Sequence, residues 1–155
     1  MIVDLAEADG AALLALNNAF GVETSFLDAD GWRELVGRAR FALAAGDRAF
    51  LLAFDQKPAE VSPNSDWLHE RFDRLVYIDR VVVAASAHGQ GLGKALYERL
   101  FQDARAAGFA RIGCEVNIDP PNPGSLAFHD RMGFAAVGDR LLENGKTVRY
   151  FVRDL

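Results

Sequence analysis

The chain has 155 residues, half of them hydrophobic and a quarter charged, with 17 Lys and Arg against 22 Asp and Glu for a net charge of −5. That is the size and make-up of one ordinary globular domain, residues 1–155, and not of a disordered polymer. The acidic balance argues against a nucleic-acid partner, which needs a basic surface to neutralise phosphates, and no apolar run approaches the length of a membrane span.

Met1–Glu7 has neither a basic start nor a long apolar core, so it does not read as a signal peptide. Ile2, Val3 and Leu5 suggest a short strand. Asp9-Gly10 then opens a helix over about 11–20, with Leu13, Leu14 and Leu16 on its buried side. Asn17 and Asn18 near its end either terminate the helix or line a substrate mouth. A second helix is expected over 28–40, with Trp32, Leu35 and Val36 as core contacts. Strands over 41–45 and 49–54 are joined by Ala45-Gly46-Asp47-Arg48, a hairpin signal.

Residues 55–74 read as a long irregular stretch carrying Pro58, Pro63, Asn64, Trp67 and His69. Such a stretch in a compact domain either shapes a binding pocket or covers an edge. Asp66, Trp67, His69 and Arg71 could meet a polar substrate there from a short helix, and a Trp67 packed over the core is the alternative.

Leu75–Val83 is dense in β-branched and aromatic residues and suits a buried strand. From Leu92 onward, Leu92, Leu96, Leu100 and Phe101 recur at helical spacing. The turn between them carries Gly89, Gly91 and Gly93. Glycines let the backbone approach a ligand, and the first N–H groups of a helix lack partners within it, so the turn is an anion site, most naturally for phosphate.

Two nucleotide motifs fail on spacing. A Walker P-loop needs a glycine where His88 stands and Ser or Thr where Ala95 follows Lys94. The dinucleotide fingerprint needs glycines one and then two residues apart, whereas these three are each separated by one.

Arg111–Val116 forms another strand, followed by the proline-stiffened run Asn117-Ile118-Asp119-Pro120-Pro121-Asn122-Pro123-Gly124. Ser125–Met132 is helical, with Gly133 as its C-terminal cap. Strands over 134–142 and 147–152 face each other across Glu143-Asn144-Gly145-Lys146, where Asn-Gly favours a tight type I′ turn. Cys114, the single cysteine, sits in a strand as an inert core thiol; it cannot form an internal disulfide, which suggests a reducing, cytoplasmic location. No repeat or linker interrupts the chain.

The run from His88 through Gly91 to Gly93, directly after a strand, resembles the acetyl-CoA loop of the GCN5-related N-acetyltransferases (GNAT), with His in place of the usual Arg or Gln. Asn122, Ser125, the pair Phe128-His129 and Gly133-Phe134 match that superfamily's second block at every position. Ser62-Pro63-Asn64, Tyr77–Arg80 and the stretch from Glu115-Val116-Asn117 through Phe134 resemble an uncharacterised bacterial group of its predicted acetyltransferases. The resemblance covers nearly the whole chain. It implies an α/β fold with a mixed, mostly antiparallel sheet flanked by helices and a bulged fourth strand.

It further implies an acetyl-CoA-dependent N-acetyltransferase acting on a small-molecule or peptide amine by direct attack, in a family with many homodimers. Pyrophosphate would lie on His88, Gly89, Gln90, Gly91, Leu92, Gly93 and Lys94. The pantetheine arm would pair with Val81, Val82 and Val83, whose N–H groups can polarise the thioester carbonyl. Asn122, Ser125 and Phe128 complete the cofactor contacts. Asp79 stands where many relatives carry a glutamate base, and is either a base, most simply through water, or the partner of a structural ion pair with Arg80. His129 stands where many place a tyrosine that protonates the thiolate, and either does so, contacts the sulfur or packs against the cofactor.

No His-Glu-x-x-His helix or paired cysteines occur, so no metal is expected. Ser86 and Ser125 lack the Gly-x-Ser-x-Gly setting of a hydrolase nucleophile. The rival function is a CoA-binding or acyl-CoA-binding regulatory module without turnover.

Overall fold

The computed structural model describes residues 1–55 and 62–155. The chain folds into two compact units, the first of Met1–Asp55 with Ile78–Asp103, the second of residues 56–77 with Ala104–Leu155. Part of the expected loop over 55–74, with Pro58, lies outside the described residues.

In the first unit, β1 (Val3–Asp4) pairs antiparallel with β2 (Phe41–Ala45), and β2 with β3 (Ala49–Phe54). The β2–β3 register runs from Phe41↔Ala53 to Ala45↔Ala49 around Gly46, whose φ of +58° is the left-handed conformation a tight turn needs. Every residue of β3 is buried, as for a strand covered on both faces. Helix α1 (Gly10–Ala19) packs against α2 (Ala29–Arg38) and β3. Both helices start on an aspartate, Asp9 and Asp28, whose carboxylates accept from Ala12 N and Gly31 N. Trp32 of α2 meets Phe50 of β3 edge-on at 5.2 Å.

β4 (Leu75–Val83) belongs to both units, its first three residues to the second. There Leu75, Val76 and Tyr77 pair parallel with Arg111, Ile112 and Gly113 of β5 (Arg111–Asp119). β5 pairs antiparallel with β7 (Thr147–Asp154), and β7 with β6 (Ala135–Leu141), so the seven strands hydrogen-bond in the order β1-β2-β3-β4-β5-β7-β6. The sheet is mixed and mostly antiparallel, as expected. Among the described residues, register shifts lie at Asn117/Asp119 in β5 and Ala136/Gly138 in β6.

Within the stretch expected to be irregular, Pro63–Arg71 is a helix, α3, started by Ser62, whose hydroxyl accepts from Asn64 N, and by Pro63 in its first turn. Leu68 of α3 joins Leu75, Tyr77, Val148, Tyr150 and Val152 in a buried cluster against which Trp67 and Phe72 pack. Gly113 makes the approach possible: a Cβ there would stand 3.0 Å from Leu75 and 3.2 Å from Leu68. α4 (Leu92–Ala106) follows the glycine turn, and α5 (Pro123–Arg131) packs on β5 and ends at Gly133 with φ +85°.

The β6–β7 turn departs from expectation. Only Gly145, not Asn144, has positive φ, and Gly145 N donates to Leu142 O at 3.0 Å. The connection is therefore a wider turn with one left-handed glycine, not type I′, which needs two such residues. Asn144 instead accepts from Lys146 N through its side chain.

Candidate active site

β4 ends at Val83, a 3-10 turn spans Ala85–Ala87, and α4 begins at Leu92. Between them Gly89 and Gly91 hold φ of +80° and +77°, and a Cβ on either would meet nothing within 4 Å. Backbone conformation thus demands glycine at both positions, and the space above them is open. Among the described residues, the other four α-helices are each started by a side chain, from Asp9, Asp28, Ser62 and Asn122. α4 is preceded by Gly91, which has no side chain to offer. No described residue accepts from the N–H groups of Gly91, Leu92, Gly93 or Lys94.

The loop is braced from behind. Ala84 N donates to Arg48 O at 2.7 Å, Arg48 Nη1 to Gln90 Oε1 at 2.9 Å, and His88 Nε2 to Val83 O at 3.0 Å. His88 and Gln90 therefore spend their side chains on the loop itself. Unshared amides, the positive end of a helix and open space over two glycines fit a diphosphate.

Upstream on β4, Asp79 is tied to Arg80, whose Nε donates to Asp79 Oδ2 at 2.7 Å, with side-chain exposures of 10% and 8% for Arg80 and Asp79. Burial raises the Asp79 carboxyl above its ordinary range, against the opposing pull of Arg80. Arg80 Nη1 also donates to Asn17 Oδ1 at 3.0 Å. Asn17 is fully buried and donates to Ser25 O, while Asn18 exchanges bonds with Leu27 N and O. These asparagines clamp the α1–α2 connection to the end of α1. Val82 is buried and Val81 and Val83 half-buried.

In the second unit, Asn122 Oδ1 accepts from Ser125 N at 3.2 Å and starts α5. His129, one turn on, is buried, with Nδ1 2.8 Å from Ser125 O and 3.3 Å from Ser125 Oγ. Phe128 and Phe134 meet its ring edge-on at 5.3 and 5.1 Å, and Phe151 stacks at 6.0 Å. Burial lowers the His129 pKa below 6.5, only partly offset by the bond to Ser125. A neutral ring donating from Nδ1 to that carbonyl presents Nε2 as an acceptor.

One polar group escaped the sequence analysis. Tyr77 donates its phenol proton to the Glu115 carboxylate, with O···O distances of 2.9 and 2.8 Å. Glu115 is the cross-strand partner of Tyr150, whose phenol donates to Asn64 Oδ1 at 2.7 Å. The available signal was a carboxylate set between Cys114 and Val116, inside the buried part of the strand. Cys114 beside it is buried, and burial with the Glu115 charge pushes its thiol well up, as befits an inert core residue. Among the described residues no group of three or more His, Cys, Asp or Glu is placed to hold a metal, and no helix is long and apolar enough to cross a membrane.

The strand, the glycine turn and the start of α4 form the kind of arrangement in which a ligand's phosphates can be held. Residues 22–134 match the model of the acetyltransferase (GNAT) family, and the chain belongs to that family. It is therefore an N-acetyltransferase that uses acetyl-CoA.

Solved structures share the fold over nearly the full length. A ribosomal-protein-alanine N-acetyltransferase from Brucella melitensis is 22% identical with a TM-score of 0.77, over 100% of this chain and 99% of that one. An aminoglycoside 6'-N-acetyltransferase complexed with coenzyme A is 15% identical with a TM-score of 0.74, over 99% and 96%. The ribosomal-protein-S18-alanine N-acetyltransferase from Escherichia coli is 18% identical with a TM-score of 0.66, over 99% and 92%. No curated protein sequence matches the chain.

Proposed function

We propose that the chain works as one N-acetyltransferase domain, moving an acetyl group from acetyl-CoA to a primary amine by direct attack. The observation that carries this is the turn from Gly89 to Lys94, with its left-handed glycines, open space and unshared helix amides. Acetyl-CoA supplies an acetyl group activated as a thioester. The amides of residues 89–94 hold its diphosphate, with His88 and Gln90 fixing the loop. Val81, Val82 and Val83 offer backbone N–H and C=O groups to the pantetheine arm from a bulge in β4 and polarise the thioester carbonyl. Asn122, Ser125 and Phe128 supply further contacts.

Asp79 takes the proton of the attacking amine through a water, and His129 serves the leaving sulfur as proton donor or hydrogen-bond partner. The acceptor is a small molecule or a peptide end. The named activities of the solved relatives, toward aminoglycosides and toward protein alanine, are the first two classes to try. A cytoplasmic homodimer fits the single cysteine and the habit of the family.

A CoA-binding module without turnover draws support from the pairing of Asp79 with Arg80, which occupies the proposed base. Free-thiol release from acetyl-CoA over a panel of amines separates the two. Release stimulated by at least one amine is expected, and CoA binding with no stimulation by any amine would leave the regulatory reading standing instead.

A further inference from the structure

In the second unit, an open cavity of about 520 Å³ beside α3 and β6 is lined by Pro63, Asp66, Trp67, Glu70, Arg71 and Arg140. Helical spacing brings Pro63, Asp66, Trp67 and Glu70 to one side of α3. Trp67 is a fixed part of the wall. Its ring stacks on Tyr150 at 4.0 Å, the Arg71 guanidinium lies 3.9 Å over it, and its edge fits a notch at Gly138, where a Cβ would come within 2.9 Å. Arg71 is spent there too, donating to Trp67 O at 3.0 Å and lying 3.8 Å from Glu70.

Two charges of opposite sign remain to the cavity. Asp66 lines the cavity as a half-buried side chain, and its Oδ1, withdrawn from solvent, receives no hydrogen bond from the described residues. A carboxylate oxygen withdrawn from water without a donor is costly and calls for a partner. On the β6 side Arg140 is exposed and lines the cavity, and its guanidinium carries five N–H donors. The volume lies in the range of small-molecule sites, roughly 300–1,000 Å³.

We propose that this cavity binds a small zwitterion of amino-acid type, whose ammonium group donates to Asp66 and whose carboxylate accepts from Arg140. A simple cation leaves Arg140 facing it, and a simple anion leaves Asp66 without a donor. Binding at this cavity is measured without acetyl-CoA.

Isothermal titration calorimetry of the full chain with each common L-amino acid, n-butylamine, butyrate and spermidine decides it. At least one amino acid binds, and n-butylamine and butyrate, which carry one charge each, bind at least about tenfold more weakly. Asp66→Asn and Arg140→Gln each weaken the amino acid by about tenfold or more. Unliganded Asp66→Asn melts at most slightly lower than the parent, because the buried Oδ1 has no hydrogen bond to lose and only the attraction to the start of α3 is weakened; an Asp66 that holds the fold together would lower the melting temperature markedly. Arg140 sits on an exposed strand, so its variant keeps the test open should Asp66→Asn fold poorly. Absence of binding by every amino acid, or unchanged binding in both variants, overturns the proposal. Spermidine binding that Asp66→Asn abolishes and Arg140→Gln spares overturns it in favour of a cation site.

Discussion

At the scale of single residues, Asp79 and Arg80 decide between structure and catalysis. Both are nearly buried, and Arg80 reaches on to Asn17 and Ser25. Asp79→Ala leaves the guanidinium buried beside a lost partner and should cost about 3–5 kcal/mol, read by urea denaturation. Asp79→Asn combined with Arg80→Gln removes both charges and should recover most of that loss. In that folded variant, kcat falls about 10²-fold or more if Asp79 carries the amine's proton, and an unchanged kcat would retire it as the base. His129 titrates in the opposite sense to a surface histidine gaining a partner. Burial sets its folded pKa below the ordinary 6.5, so between those two values the unfolded chain holds the extra proton. Stability is therefore full above pH 6.5 and falls as pH drops through that window. His129→Phe, which keeps the ring and loses the titration, should flatten this slope in denaturant melts between about pH 5 and 8. Protonation of the thiolate by His129 needs the imidazolium, so kcat of the parent enzyme would then decline as pH rises through the same lowered value. A kcat indifferent to that window assigns His129 to contact with the sulfur.

At the scale of elements, α3 is held by shape, and Gly138→Ala tests the hold. The new methyl would stand 2.9 Å from the Trp67 ring, which is pinned by Tyr150 and Arg71 and cannot easily retreat. A loss of about 1–3 kcal/mol is expected in thermal or urea unfolding, with no loss meaning that α3 shifts freely on the sheet. The same helix shows where sequence ran short. Its nine residues are mostly polar, and Leu68 is its one fully buried large apolar side chain, so no periodic stripe announced it. The Ser62-Pro63 start was the readable signal. β2 and β3 were legible to the residue because apolar runs abut a Gly-Asp-Arg turn. β5 runs on to Asp119, past the expected Val116, because β7 supplies partners as far as Thr147. Tyr77 and Glu115 are separated by 38 residues, and only the parallel register of β4 on β5 joins them, so no local pattern could pair them. Both blocks of the family motif were visible because glycine and capping geometry are local, whereas the Arg80 network depends on tertiary contact.

At the scale of the whole molecule, ligand linkage tests the nucleotide cradle together with the neighbouring strand. A ligand that binds the folded chain alone, at about 100 times its Kd, stabilises it by about 2.7 kcal/mol. For a chain of this length each kcal/mol moves the melting temperature by about 2–4 °C, so saturating CoA should raise it by about 5–11 °C. The diphosphate is only part of that gain. ATP and NAD also carry linked phosphates, yet neither has a pantetheine arm to pair with Val81–Val83, so their shifts should be small. Gly91→Ala separates the two contributions, because φ of +77° costs an alanine about 1–2 kcal/mol and its methyl projects into the open space over the turn. This variant should melt lower by itself and also gain less from CoA, while its response to ATP or NAD stays near zero. Equal shifts from CoA, ATP and NAD in the parent chain would mean that phosphate alone is recognised. The claim that β4 reads the arm of the cofactor would then fall, while the proposal that the glycine turn takes the phosphates would stand.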